Sequence, residues 1–289
     1  MFGDYKRRFS QRHYLAFVHI EKAAGTTLIH LLRKNLFPGY MDVRPVNRRR
    51  NHSFGPKDLA AHLCINPLLT GFGGHSVTPY GDLETVFPNL RFITLLRNPV
   101  DRYVSQFRYL VRIQRIPDDF EAFLANPHYE DFQTNKLDPS GDPVGAFQTL
   151  KNRMLEVGLV EEFDTFLLRL TRKLGADRFD PHYQVRNAAR SRESADRLLD
   201  RYEDRIVERN RKDSWLYGKV ESELIPDLNA EYGPSLASDL GRFQQENLSA
   251  RTDIKNYADY VLRKAFYEPA SGVLRRLNGL PALGSYDCW

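Results

Sequence analysis

The sequence predicts an α/β protein: a parallel sheet flanked by helices, followed by a helical C-terminal extension. Three observations carry this. Strand-like and helix-like segments alternate through the first hundred residues. Two of the strand-like segments run straight into a helix start, as strands of parallel sheets do. Beyond about residue 190 the pattern turns almost wholly helical.

In chain order, Tyr14 to Ile20 is an apolar run with the length and aromatic or β-branched content of a buried strand. After a short loop, Thr26-Thr27 open a helix over 26–36, its apolar positions being Leu28, Ile29, Leu31, Leu32 and Leu36. A helix over 56–64, an apolar glycine-bearing segment over 68–77 and a helix over 79–87 follow. Residues 90–96, Leu-Arg-Phe-Ile-Thr-Leu-Leu, read as a second strand, and 99–114 as a helix. Asn98 suits its N-cap, Pro99 its first position and Asp101 its first turn. Residues 126–146, rich in Pro, Asp, Asn and Gly, read as a long loop that could help line a cleft. Val160 to Leu174 is an amphipathic helix with Phe163, Phe166, Leu167 and Leu170 on its core face. Residues 191–217 and 235–277 are mostly helical, with Pro269 and Gly272 marking a break.

Composition bounds the function. The chain has 289 residues, 42% hydrophobic and 27% charged, which suits one large α/β domain with an appendage. Its two cysteines, Cys64 and Cys288, lie far apart and indicate no disulfide framework; no zinc-like spacing occurs, and no metal is expected. Met1 to His13 is basic and polar, without the apolar centre of a signal peptide. No run approaches the ~20 apolar residues of a membrane helix, so no membrane span is expected. The net charge of +5 suits anionic ligands. Nucleic acid is not expected, because the basic residues are spread along the chain and no recognition motif occurs. Arg48-Arg49-Arg50 reads either as a dock for an acidic partner or as a solvated basic loop.

Two motifs carry chemistry. His19-Ile20-Glu21-Lys22-Ala23-Ala24-Gly25-Thr26-Thr27 joins the first strand to its helix. Unpaired amides at a helix N-terminus, with the helix dipole behind them, form an anion site. Gly25 allows close backbone approach, and Lys22, Thr26 and Thr27 add donors. The order is not that of a Walker A loop, because Lys22 precedes Gly25. A generic strand–loop–helix junction with a solvated lysine is the plainer alternative. The second motif, Arg97-Asn98-Pro99-Val100-Asp101-Arg102-Tyr103-Val104-Ser105, fixes Arg97 at a strand end and puts Ser105 on the helix face of Asn98. An arginine fork and a serine hydroxyl can together hold a phosphate monoester.

With both motifs in order, the chain resembles the sulfotransferases that use 3′-phosphoadenosine 5′-phosphosulfate (PAPS), above all the carbohydrate enzymes of the heparan 2-O type and bacterial relatives. The first motif is similar to their 5′-phosphosulfate loop, with Glu21 in place of a proline and Ala23 in place of a threonine; the second is similar to their 3′-phosphate motif. Diffuse similarity continues at 131–135, 157–164 and 213–217. The extent of the resemblance places a domain over 1–225 and a helical extension over 226–289 packed on it. The resemblance implies a P-loop-like fold, PAPS as co-substrate without a metal, and transfer of a sulfuryl group to a hydroxyl, foremost of a glycan. It implies that Lys22, Ala23, Ala24, Gly25, Thr26, Thr27, Arg97 and Ser105 bind PAPS, with Lys22 acting on the leaving group. It also implies a base at His75, in Gly73-Gly74-His75-Ser76-Val77, with Glu21 as the rival. Histidine titrates near neutral pH, as a general base should. His19, inside the first strand, reads as a core residue. The absence of an anchor points to a cytoplasmic bacterial enzyme and leaves a truncated Golgi-lumenal one open. Transfer to protein tyrosine or a phenol, a divergent nucleotide kinase, and an inactive PAPS-binding protein are the competing readings. Oligomeric state is not legible.

Overall fold

Strand β1 (Tyr14–Val18) is buried along its whole length, which is why it reads as an unbroken apolar run. The computed structural model describes residues 14–47, 53–184, 193–248 and 254–280. Within them β1 is the centre of a five-stranded parallel sheet with β2 (Tyr40–Asp42), β3 (Gly71–Gly74), β4 (Leu90–Leu96) and β5 (Met154–Leu159), in the order β2-β3-β1-β4-β5. Ala16 lies opposite Phe72 on one side and Phe92 on the other. The buried Thr94 hydroxyl donates to the Val18 carbonyl at 2.9 Å, so the polar group costs nothing in this core.

Helices cover both faces. Helix α1 (Gly25–Leu36) follows β1, α2 (Pro56–Ile65) precedes β3, and α3 (Pro99–Arg112) follows β4. Asp58, in the first turn of α2, accepts from the backbone amides of Gly55, Val46 and Asn47 at 2.9–3.0 Å and fastens the chain after β2. Short helices α4 (Phe120–Leu124) and α5 (Phe132–Leu137) lead to α6 (Pro143–Arg153), and α7 (Phe163–Leu174) follows β5. Tyr103, Phe107, Phe120, Phe123, Tyr202 and Ile206 form a second apolar cluster between α3, α4 and α8 (Glu193–Arg209).

The remaining helices are α9 (Arg211–Lys219), α10 (Ile225–Tyr232), α11 (Leu236–Asn247), α12 (Ile254–Leu262) and α13 (Glu268–Leu277). Phe243 and Tyr267 join the main core, so the C-terminal helices share it. Tyr267 donates to the Pro38 carbonyl at 3.2 Å, Arg275 to that of Pro45 at 2.6 Å and Asn278 to that of Val46 at 2.9 Å. Arg33 of α1 pairs with Asp42 at the end of β2 and lies 3.7 Å from Asp259 of α12. Among the described residues no helix is long and apolar enough to cross a membrane.

Several expectations are corrected. The helix over 79–87 is a single 3₁₀ turn at Leu83–Thr85, because Asp82 takes a left-handed conformation (φ 54°) that ends any helix before it. The loop over 126–146 is partly helical, since Asp142 caps α6 through the amides of Val144 and Gly145. The helix over 160–174 begins with a 3₁₀ turn at Val160–Glu162. Pro269 and Gly272 break nothing. A π turn at Arg263–Tyr267 lets the helix pass the proline, as a π turn at Val220–Leu224 does before Pro226. Strands β2 and β5 were not expected. The Arg48-Arg49-Arg50 run, Met1 to His13 and Cys288 lie outside the described residues.

Candidate active site

Strands β3, β1 and β4 are neighbours, and all three release their loops at the carboxyl edge of the sheet. Open α/β sheets bind ligands at that edge. The loop after β1 has the backbone features that suit an anion. Lys22 (φ 69°) and Ala24 (φ 52°) both take left-handed conformations. Such strain in non-glycine residues clusters at functional sites. The Ala23 amide turns inward to the Ile20 carbonyl at 3.3 Å, and those of Thr27 and Leu28 bond the Ala24 carbonyl. Ala23 is fully buried, so of the expected loop residues it offers neither amide nor side chain to a ligand. The amides of Ala24, Gly25 and Thr26 start a helix that no side chain caps.

Gly25 is required for a reason that sequence reading did not supply. A Cβ there would fall 1.8 Å from Nε2 of His19. The missing side chain makes room for this ring. His19 lies just past β1, buried, stacked on Phe17 and on His75 with ring centres 5.1 and 4.1 Å apart. Burial, then the nearby charges of His75, Lys136 and Lys22, push its pKa well below the usual value. It is a neutral spacer between the anion loop and His75.

His75 sits on the turn after β3, with Nδ1 2.8 Å from Oε1 of Glu21. The two candidate bases are thus one pair. Glu21 is only 4% exposed, and its Oε2 is buried without a hydrogen-bond partner among the described residues. Burial alone would raise the Glu21 pKa. The hydrogen bond and charge of His75, with Lys136, outweigh it and hold the carboxyl below its ordinary range. Lys136 of α5 donates from Nζ to the His75 carbonyl.

Arg97 follows β4. Its amide donates to Oε1 of Gln133 at 3.0 Å, and its carbonyl accepts from Nε2 of the same side chain at 2.9 Å. Nη1 of Arg97 donates to the Lys22 carbonyl at 3.2 Å, which ties the two motifs together. Asn98 caps α3 by accepting from Val100 and Asp101, as expected. Ser105 is partly exposed further along that helix. Arg102, by contrast, is buried against Phe132, 4.9 Å from its ring centre. The Lys22 ammonium lies 4.4 Å over the Tyr109 ring, and Arg112 lies 5.4 Å over the same ring. Burial, then Arg112 and Arg97, lower the Lys22 pKa to about 8. A cation so crowded by cations favours an anion beside it. Arg108, Arg112 and Arg201, with Asp118, Phe107 and Tyr202, line a neighbouring open cavity of about 630 Å³.

Sequence reading missed Gln133, Lys136, Tyr109 and Arg112, and set His19 aside as a core residue. Tyr109 and Arg112 fall four and seven residues after Ser105, so helical periodicity could have flagged them. Gln133 falls inside the similar stretch 131–135, but its role is set by a backbone 36 residues away; Lys136 acts across 61 residues and left no local signal.

No protein-family model matches the sequence, and no curated protein matches it. Among solved structures, the chain is similar to a sulfotransferase from Alicyclobacillus acidocaldarius, at 17% identity and a TM-score of 0.40, over 71% of this chain and 96% of that one.

Proposed function

We propose that this chain is a PAPS-dependent sulfotransferase that sulfates a hydroxyl, foremost of a glycan. One observation carries the reading: three adjacent strand ends present, at one edge, a crowded lysine on an uncapped helix start, an arginine bonded to that lysine's carbonyl, and a histidine paired with a buried glutamate. The first two fit the two phosphates of such a donor, and the third fits a hydroxyl acceptor.

PAPS supplies the sulfuryl group. Lys22 and the amides of Ala24, Gly25 and Thr26 meet the charge that grows on the departing phosphate oxygen. Arg97 and Ser105 hold the 3′-phosphate, and Thr26 and Thr27 add hydroxyl donors. With Nδ1 turned to Glu21, Nε2 of His75 takes the acceptor proton as the acceptor oxygen bonds to sulfur and the sulfur–oxygen bond to phosphate breaks. Glu21 is too buried to reach an acceptor; it orients the ring and stabilises the imidazolium. The neighbouring cavity, with three arginines against one carboxylate, Asp118, suits an acidic acceptor. The chemistry assigned to these residues needs no metal.

The test is direct. Adenosine 3′,5′-bisphosphate should bind, and ATP with magnesium should not compete at equal concentration. Labelled PAPS offered with glycans, tyrosine peptides and phenols should transfer its label to a glycan, in the presence of EDTA. Preferred binding of magnesium ATP would return the chain to the kinase reading. Transfer only to tyrosine or phenols would replace the acceptor.

A further inference from the structure

Helix α5 reaches both halves of the candidate site. At its start, Gln133 grips the backbone of Arg97 with both ends of its amide. At its end, Lys136 holds the carbonyl of His75. The helix is itself anchored, because the buried carboxylate of Asp213 accepts from the amides of Gln133 and Thr134 at 3.1 and 2.8 Å. Six residues therefore set the donor side and the acceptor side in one register.

We infer that Lys136 is a positioning residue for the Glu21–His75 pair: its ammonium clamps the turn that carries His75 and balances the buried carboxylate that faces that ring. Resting on the sulfotransferase reading, this names how its base is held. Glu21 meets His75 from the turn after β3, Lys136 from α5 and the field of Arg102 from α3. The neutral His19 ring backs His75 from the end of β1. Lys22, next in the chain, turns instead over Tyr109. A buried carboxylate that gives one oxygen to His75 and leaves the other without a hydrogen bond needs a compensating cation. Lys136 is itself buried, which lowers its pKa while the charge of Glu21 opposes that shift, and its donor bond holds the histidine turn. Loss of the charge and loss of the clamp both favour the protonated carboxyl, so they push Glu21 in the same direction.

The experiment is a carbon-13 titration of the Glu21 carboxyl in the full chain. In Lys136→Met the midpoint should rise by about one pH unit, and Lys136→Arg should restore most of it. Turnover in Lys136→Met should fall at least about tenfold while the dissociation constant for adenosine 3′,5′-bisphosphate changes less than about threefold, because the clamp lies on the acceptor side. If Lys136→Met does not fold, Lys136→Gln keeps a donor for the His75 carbonyl without the charge and is read in the same titration. A Glu21 midpoint unmoved in a folded Lys136→Met or Lys136→Gln protein overturns the inference. If the parent protein transfers no sulfuryl group, the sulfotransferase reading fails, and the Glu21 titration still decides the role of Lys136.

Discussion

Lys22 carries a charge that the fold makes conditional on pH. Its pKa lies near 8 instead of the usual 10.5, because burial and two guanidinium groups disfavour the ammonium. The sign follows. Below about pH 8 the ammonium is present and, on the proposed reading, available to a phosphate; above it the free protein loses that charge, so binding must take up a proton. Affinity for adenosine 3′,5′-bisphosphate should be flat between about pH 7, where its phosphates are fully ionised, and pH 8, and fall by up to about tenfold per pH unit above it. In Lys22→Met the affinity should be lower and the bend gone, and calorimetry across pH 6–10 reads both. His75→Ala should cut turnover on an alcohol by about 10²–10⁴ and bind the bisphosphate normally. It should lose much less with an acidic phenol, whose proton leaves unaided. Lys22→Ala should be slow with both. Equal losses of His75→Ala on the two acceptors would remove His75 as the base. The sequence showed Lys22, Arg97, Glu21 and His75 because each lies in a local pattern. It separated Glu21 from His75 as rivals because pattern reading carries no distance between residues 54 positions apart.

At the scale of elements, what could be read was what packs on both sides. Strands β1 and β4 are almost wholly buried and so left apolar runs. Strand β2 is three residues long, too short for any period to register. Strand β5 hides a charged residue: Glu156 is buried, with Arg169 at 3.0 Å and Lys173 at 3.1 Å, and its sequence therefore does not look like a core strand. Helix α5 was invisible for a different reason. A six-residue helix is unstable alone, and α5 exists because Asp213, about eighty residues later, accepts its first amides. Asp213→Ala should cost about 3 kcal/mol of stability, since it strands two buried amides and uncovers Arg102. It should also weaken bisphosphate binding, because Gln133 then no longer holds Arg97 in place. Chemical denaturation and calorimetry on one sample check both. Full bisphosphate affinity in a destabilised Asp213→Ala protein would detach α5 from the donor site.

For the whole molecule, the sheet order places β1 between the two strands that carry the other site loops, so the site needs no part of α11 to α13. The C-terminal helices do something else. Tyr267 fastens at Pro38, before β2, whereas Arg275 and Asn278 fasten at Pro45 and Val46, after it. The last helical segment therefore runs past the outermost strand on that side of the sheet. A chain ended at residue 253 should keep its circular dichroism per residue of the α/β part and should still bind the bisphosphate. Its light scattering should nevertheless rise with concentration, where that of the full chain stays flat. Strong scattering from the full chain, or a shortened chain that remains monomeric, would contradict this. The consequence reaches beyond one fold. An open strand offers its unmet backbone groups to any similar strand, and proteins that leave one bare tend to clump. Fastened on either side of β2, the C-terminal helices are expected to hinder such recruitment, and the scattering measurement reads that.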